Sequence, residues 1–280
     1  MAIKNYKPTS PGRRISSGDS FSDITKKSPD KKLTTSLKKH SGRNNQGKIT
    51  VRHRGGGAKR RYRIVDFLQN RFDVPATIVA IEYDPNRSAR IALVEYAPGD
   101  RAYILAADGM TVGTTIVSST TTVDLVPGNR MSLKNIPSGT AIYNLELKPG
   151  HGAILVRSAG ASATLMSSDA GMVLVKLSSG EIRKFPEECR ASVGQVSNPD
   201  WGKIRWGKAG RMRYRGIRPT VRGKVMNPVD HPHGGGEGSS PIGMKHPKTP
   251  QGKPALGVKT RKKNKASNMY IVSPRKKRRK

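Results

Sequence analysis

Residues 77–106 have the sequence TIVAIEYDPNRSARIALVEYAPGDRAYILA. This stretch contains three runs rich in β-branched and aromatic residues, Thr77–Tyr83, Arg90–Tyr96 and Arg101–Ala106. Residues 84–87 (DPNR) and 98–100 (PGD) separate the runs, and both are typical turn sequences. The stretch therefore predicts three short β-strands joined by turns.

A second series of strands is predicted after residues 127–129 (PGN), which again favour a turn. Its members are Gly152–Arg157, Met172–Leu177 and Glu181–Phe185. Residues 178–180 (SSG) join the last two runs, and this short polar link predicts a β-hairpin.

Helical periodicity lasts for no more than a turn or two in most of the sequence. Many short strands with frequent turns favour small β-barrels over a sheet whose strands alternate with helices. The length of segment 64–200 suits two barrels of about 65–70 residues each. We place the boundary between them near residues 124–130.

Charge is distributed very unevenly along the chain. Residues 1–63 contain eighteen Lys or Arg and three Asp or Glu, and residues 201–280 contain twenty-three and two. Residues 64–200 contain twelve basic and fourteen acidic residues, so the middle is close to neutral. Two cationic extensions around a neutral core predict a polyanionic partner, because each extension repels itself until its charge is neutralised.

Both extensions are rich in Gly, Pro, Ser and Asn and poor in large apolar residues. Ordering a residue costs roughly 1–2 kcal/mol of backbone entropy, and such segments bury too little apolar surface to offset that cost. We therefore expect both extensions to be mobile alone and to become ordered on a partner. They also contain too many Gly and Pro residues for the long amphipathic helices that bind membrane surfaces, so nucleic acid is the partner we favour.

The remaining composition excludes several kinds of site. One cysteine, Cys189, permits neither an internal disulfide nor a cysteine-based zinc finger. No stretch approaches the roughly 20 apolar residues of a membrane span, and the first residues lack the apolar segment of a signal peptide. We expect a soluble, intracellular protein that needs no cofactor.

The N-terminal extension ends in a basic and glycine-rich stretch, residues 52–63 (RHRGGGAKRRYR). Glycines between basic clusters allow the backbone to approach a phosphate closely. The candidate RNA-binding residues of this stretch are Arg52, Arg54, Lys59, Arg60, Arg61 and Arg63.

A second basic stretch, residues 208–223 (KAGRMRYRGIRPTVRG), lies in the C-terminal extension. Its spacing predicts an extended path with a cation near each phosphate, and its tyrosine can stack on a base. The candidates are Lys208, Arg211, Arg213, Tyr214, Arg215, Arg218 and Arg222. The chain ends in a further basic cluster, Arg275–Lys280.

Residues 226–238 (MNPVDHPHGGGEG) hold two histidines, an aspartate and a glutamate. Metal and acid–base sites need ligands on rigid elements, whereas glycine and proline surround these residues. We therefore favour a turn ordered by RNA, with His231 and His233 as RNA-binding candidates, over a metal or catalytic site.

Three of these motifs together resemble one family, the second protein of the large ribosomal subunit in its bacterial form. They are residues 84–89 (DPNRSA), the basic stretch 208–223, and residues 226–238. The resemblance covers nearly the whole chain, although the first fifty residues match only in their basic character.

The resemblance implies a mainly β fold, with an OB-type barrel followed by an SH3-like barrel and long irregular basic extensions. Four parts follow from it: a basic N-terminal extension (1–63), the OB-type barrel (64–125), the SH3-like barrel (126–200) and an RNA-threading tail (201–280). It also implies RNA-binding roles for Arg87, in the DPNR turn, and for Arg157, in residues 156–160 (VRSAG).

The family has a histidine at the position of His231 for which a part in peptidyl transfer has been suggested. The reaction centre of the ribosome is RNA, so we assign His231 to positioning RNA. The sequence departs from the family at Gln251, where tryptophan is usual, so the ring that could stack on a base is missing there.

The function we expect is that of a structural, non-enzymatic protein of the large subunit. It binds large-subunit ribosomal RNA, supports assembly and subunit association, and organises the peptidyl-transferase region in the cytoplasm. Further expected partners are small-subunit RNA at the subunit interface and neighbouring ribosomal proteins, with no membrane. Two alternatives stay open: a nucleic-acid enzyme using His231, His233 and Glu237, and an architectural DNA-binding protein.

Overall fold

A computed structural model describes residues 3–238 and 240–275 of the chain. By its internal contacts the chain divides into two compact units. The barrel unit comprises the described residues of 1–38, 59–208 and 267–280, and the glycine-rich unit comprises residues 39–58 and 209–266. The last five residues of the basic cluster Arg275–Lys280 lie outside the described part.

Short strands dominate the described residues, and helices are few and brief. The strands are β1 (Ile3–Asn5), β2 (Ser17–Asp19), β3 (Thr34–Ser36), β4 (Arg61–Arg63), β5 (Ala76–Glu82), β6 (Ile91–Ala97), β7 (Asp100–Leu105), β8 (Thr115–Ile116), β9 (Arg130–Ser132), β10 (Ala141–Tyr143), β11 (Leu145–Glu146), β12 (Ala153–Leu155), β13 (Ala163–Asp169), β14 (Met172–Lys176), β15 (Ile182–Pro186), β16 (Arg190–Val193) and β17 (Ile271–Ser273). The α-helices are α1 (Pro11–Arg14) and α2 (Ala209–Tyr214), and 3₁₀ turns occupy Leu133–Asn135, Pro199–Lys203, Gly223–Val225 and Ala266–Asn268. The mainly β prediction is confirmed.

The first sheet of the barrel unit has the strand order β7-β6-β5-β8, and every neighbouring pair is antiparallel. Ile91 in β6 pairs with Leu105 in β7, and both side chains are buried. Apolar side chains from both faces of these strands are buried, in clusters that include Ile78 and Val94 on one side and Leu93 and Tyr103 on the other. Burial on both faces explains the nearly continuous apolar runs in the sequence.

The second sheet has seven strands in the order β17-β15-β14-β13-β10-β16-β9, all antiparallel. Its core contains Leu165, Val175 and Phe185, and Cys189 is fully buried among them. The hairpin predicted at residues 178–180 is confirmed, because β14 and β15 pair on either side of it.

Several strands were not predicted from the sequence, and the longest of them is β13 (Ala163–Asp169). Its second half carries two serines and an aspartate, residues that are uncommon in strands, and most of it is exposed. Pairing with β14 supplies the stabilisation that its own composition lacks. The four-part division of the chain stays a prediction.

The start of the N-terminal extension docks on the first sheet, where no partner within the chain was expected. Arg90, 1 % exposed, donates from Nε to Asp23 at 2.9 Å and also pairs with Asp19. Thr25 and Ile81 exchange hydrogen bonds through the Thr25 hydroxyl and the Ile81 backbone. Two of the three acidic residues among the first 63 therefore neutralise a buried arginine of the core, a role that net charge alone does not reveal.

A buried charge cluster ties the second sheet to its neighbouring hairpin. Glu146 Oε1 lies 3.0 Å from Arg130 Nη2 and 3.2 Å from Arg190 Nη2. Glu146 and Arg130 are both 0 % exposed. The second Glu146 oxygen accepts the backbone N–H of Arg190 at 3.2 Å, and Arg130 also donates to the Asn144 carbonyl at 2.7 Å. The Glu146 carboxylate is thus the shared counter-ion of two guanidiniums inside the protein.

Residues 54–58 of the glycine-rich unit pair with residues 214–217, which lie far away in sequence, whereas residues 40–51 bond to one another. The backbone N–H groups of Gly55 and Ala58 donate to the carbonyls of Gly216 and Tyr214, at 3.0 and 2.9 Å. In the described part of the chain, no helix has the length and apolar character needed to cross a membrane.

Candidate nucleic-acid interface

The turn after β5 fixes Arg87 through a buried aspartate. The Asp84 carboxylate is 0 % exposed, accepts the backbone N–H of Asn86 at 2.8 Å, and lies 2.6 Å from Arg87 Nε. Aspartate at the start of a turn caps the following backbone in this way, which explains the local fold of the DPNR sequence. Arg87 itself keeps 17 % of its side chain exposed at the turn.

Arg157 follows β12, and its exposed side chain is also anchored to backbone. Its Nη1 donates to the Ala153 carbonyl at 3.2 Å. The preceding residue, Val156, has φ of +53°, a left-handed conformation that is rare for a β-branched residue. The chain therefore turns sharply just before Arg157.

The structure brings these two arginines together on one aromatic ring. The guanidinium carbons of Arg157 and Arg87 lie 4.5 Å and 5.6 Å from the centroid of Phe67. A further link joins their two segments, because the Ser88 hydroxyl accepts the backbone N–H of Ala159 at 3.1 Å. Phe67, Asp84 and Ser88 were not among the residues selected from the sequence. The turn motif could have indicated Asp84, whereas no local pattern marks Phe67.

The end of the N-terminal basic stretch lies beside the same turn. Arg60 Nη1 donates to the Pro85 carbonyl at 3.0 Å, and the Asn86 amide donates to the Arg61 carbonyl at 2.7 Å. Arg63, in β4, is only 8 % exposed and donates to the Arg61 carbonyl. Arg61 is exposed, so the stretch presents some cations outward and uses others to hold its own strand.

Within the basic stretch 52–63, Gly57 packs against protein backbone, a role different from the expected approach to phosphate. A Cβ added at Gly57, where φ is +78°, would lie 2.7 Å from the Gly216 nitrogen. A Cβ added at Gly56, where φ is +63°, would meet nothing within 4 Å. Gly57 is thus required by chain packing, while Arg52, Arg54 and Lys59 around these glycines are exposed.

The predicted extended path is wrong for residues 209–214, which form helix α2. Alanine, arginine and methionine have high helix propensity, and that preference prevails over the glycine at position 210. Tyr214 is 72 % exposed at the end of the helix, which leaves its ring accessible. Of the cations, Lys208, Arg213, Arg218 and Arg222 are exposed, and Arg211 and Arg215 are half-buried.

The two histidines of residues 226–238 stabilise a turn made by the protein itself. His231 is 8 % exposed, and its Nδ1 accepts a hydrogen bond from the backbone N–H of His233, with a nitrogen–nitrogen distance of 3.0 Å. The Nε2 atom of His233 accepts a hydrogen bond from the backbone N–H of Lys248, with a nitrogen–nitrogen distance of 2.8 Å. Each ring therefore uses one nitrogen as the acceptor for a backbone N–H group.

The His231 ring packs directly against Gly223. A Cβ added at Gly223 would lie 2.5 Å from the imidazole ring, so a larger residue there would displace the ring. Glu237, in the same sequence motif, is exposed. Among residues 3–238 and 240–275 no group of three or more His, Cys, Asp or Glu is placed to hold a metal ion.

Two family models match the chain, and together they cover most of it. The model described as "Ribosomal Proteins L2, RNA binding N-terminal domain" matches residues 30–118. The model described as "Ribosomal Proteins L2, C-terminal domain" matches residues 126–252. The chain belongs to the ribosomal protein L2 family.

Members of the L2 family are structural ribosomal proteins that bind ribosomal RNA, and they are not enzymes. The prediction of an OB-type barrel followed by an SH3-like barrel is confirmed for this L2 protein. The enzyme alternative built on His231, His233 and Glu237 is set aside, in agreement with the use of both imidazoles as acceptors for backbone N–H groups. The Phe67 cluster and the stretch that ends at Arg63 lie within the residues matched by the two models.

Proposed function

We propose that the Arg87–Phe67–Arg157 cluster binds the backbone of large-subunit ribosomal RNA and helps to orient the barrel unit on it. The proposal rests on one observation: two arginines distant in sequence converge on a single ring while both keep exposed surface. Each guanidinium is fixed on one side by a protein oxygen and retains further N–H groups that can donate to phosphate.

The exposed cations outside this cluster are proposed to neutralise further phosphates. They include Arg52, Arg54, Lys59, Arg61, Lys208, Arg213, Arg218 and Arg222. Arg60, Arg63, Arg211, Arg215, His231 and His233 are more enclosed, and we propose that they shape the RNA-facing segments. Exposed Tyr214 is proposed to stack on an unpaired base.

With RNA bound in this way, the protein supports assembly of the large subunit, its association with the small subunit, and the organisation of the peptidyl-transferase region. Small-subunit RNA at the subunit interface and neighbouring ribosomal proteins are the further proposed partners, and the cytoplasm is the proposed location. Family membership and the net charge of +34 support these roles.

Equilibrium binding of the full-length protein to a large-subunit ribosomal RNA transcript, measured over a range of salt concentrations, tests the proposal. Charge-assisted hydrogen bonds contribute about 1.5–3 kcal/mol, so Arg87→Ala and Arg157→Ala should each weaken binding by roughly tenfold or more. Each substitution should also reduce the salt slope by roughly 0.7–0.9 log units for each phosphate that the variant no longer neutralises.

Arg101→Ala is the matched control, because Arg101 is a surface arginine already paired with Glu95 at 3.0 Å. Wild-type affinity in both cluster variants would refute the proposed site. Competition with duplex DNA addresses the remaining alternative, since equal affinity for DNA and ribosomal RNA at physiological salt would favour an architectural DNA-binding role.

A further inference from the structure

Phe67 is fixed by the core before any ligand binds. Its half-buried ring packs against the core clusters on both faces of the first sheet. Its carbonyl accepts the backbone N–H of Ala153 at 3.0 Å, and Ala153 begins the strand that leads to Arg157. Phe67 therefore contacts the Arg157 guanidinium through its ring, and through its backbone carbonyl it holds the strand that leads to Arg157.

The backbone is strained at Val156, directly before Arg157, and a flexible surface loop would release such strain. Val156 keeps its positive φ while its carbonyl accepts the Asn144 N–H at 2.9 Å and its side chain packs against the core. Strained residues of this kind persist only where surrounding contacts over-determine them, and they cluster at functional sites. Here the strained residue directly precedes a guanidinium held at an aromatic face.

Arg87 reaches the same ring from a turn with its own supports. Asp84 holds its Nε, and Ser88, next to Arg87, is bound by the Ala159 N–H and by the Asn198 amide, which donates to the Ser88 carbonyl at 2.7 Å. Two like charges so close together repel each other. Two guanidiniums and the single Asp84 carboxylate leave the cluster with a net positive charge, which favours an anionic ligand.

We propose that Phe67 is a positioning residue that holds Arg87 and Arg157 as one pre-formed pair for the RNA sugar–phosphate backbone. The inference rests on the proposed function of the two arginines and adds that their effect depends on the shared ring. With the ring present, the guanidiniums are oriented before binding and less side-chain freedom is lost when RNA binds. With the ring absent, both side chains are free to move apart and the same charges bind less well.

The test compares Phe67→Leu and Phe67→Tyr in the full-length protein, with the large-subunit ribosomal RNA transcript as the probe. Leucine keeps an apolar side chain but removes the ring, and tyrosine keeps the ring. Phe67→Leu should weaken RNA binding by about 3- to 10-fold, the range of a partly exposed cation–π contact. Phe67→Tyr should remain within about twofold of wild type because the ring face is retained.

Two controls separate positioning from a general loss of stability. Phe185→Leu removes a fully buried ring from the second sheet and should lower the melting temperature while leaving RNA affinity unchanged. In an Arg87→Ala/Arg157→Ala background, Phe67→Leu should have no further effect on affinity, which a purely structural role would not predict.

The possible results distinguish this inference from the proposed function. If the arginine variants weaken binding and Phe67→Leu does not, the positioning role is wrong and the RNA site stands. Equal losses of affinity in Phe67→Leu and Phe185→Leu would also overturn the positioning role. If neither arginine variant changes affinity, the site itself is wrong and the inference falls with it.

Discussion

Glu146→Gln is a substitution for which the structure predicts a large loss of stability. The Glu146 carboxylate is 0 % exposed and is the counter-ion for both Arg130 and Arg190. Burial lowers the pKa of Arg130 to about 10, with Glu146 acting in the opposite direction, so Arg130 still carries its charge at neutral pH. Glutamine has nearly the same shape and no charge, and it therefore leaves a positive guanidinium buried without its partner.

Removing one partner of a buried ion pair costs about 3–5 kcal/mol, because the remaining charge keeps its desolvation penalty. Domains are stable by only about 5–15 kcal/mol, so Glu146→Gln should remove a large part of the stability of the second sheet. Urea unfolding followed by circular dichroism, with the wild type measured under the same conditions, gives the difference in free energy of unfolding.

Glu95→Gln supplies the matched comparison. Glu95 also pairs with an arginine at 3.0 Å, but the side chains of Glu95 and Arg101 are 27 % and 40 % exposed. A surface pair of this kind contributes about 0–1 kcal/mol. The reasoning fails if Glu146→Gln costs no more than Glu95→Gln, since burial would then make no difference to the value of the ion pair.

Three further predictions concern other parts of the chain. Asp23→Ala removes a carboxylate that binds buried Arg90, so residues 17–26 should become easier to cleave in limited proteolysis; an unchanged cleavage pattern would contradict the docking described above. Burial raises the pKa of Cys189 to about 12 from 9.0, so the thiol should resist iodoacetamide at pH 8 until urea is added. The folded state keeps the thiol proton after the unfolded chain has lost it, so Cys189 should also make the free energy of unfolding fall as pH rises from 9.0 to about 12. Rapid alkylation of the native protein would contradict both expectations. Gly57→Ala should destabilise the protein by about 1–3 kcal/mol more than Gly56→Ala, because both positions have positive φ but only Gly57 faces backbone at 2.7 Å; equal melting temperatures would refute this.

Three of the four strands of the first sheet, β5, β6 and β7, could be predicted to within one residue because their pattern is local, whereas the two-residue strand β8 was not predicted. Apolar runs with turn signals between them indicate these three strands. β13 and β17 could not be found in this way, because their stability comes from pairing with β14 and β15 rather than from their own composition. Helix α2 was missed for the opposite reason, since local propensity prevailed where a basic, glycine-rich sequence suggested an extended chain.

For the candidate site, the sequence indicated the cations and not the groups that hold them. Arg87 and Arg157 came from a family resemblance, and their convergence on Phe67 depends on contacts between segments far apart in sequence. The histidines illustrate the same limit. The sequence predicted RNA contacts for His231 and His233, and their roles as acceptors within the protein follow from backbone geometry that only the fold provides.

The pairing of residues 54–58 with residues 214–217 has a consequence for the order of biosynthesis. The earlier segment leaves the exit tunnel long before its partner has been translated, so the contacts at Gly55 and Ala58 cannot form on the growing polypeptide. Closing so long a loop also carries an entropic cost that rises with its length. The nascent chain therefore presents a basic, glycine-rich segment without its intramolecular partner throughout most of elongation, and a polypeptide terminated before residue 209 would keep it in that state.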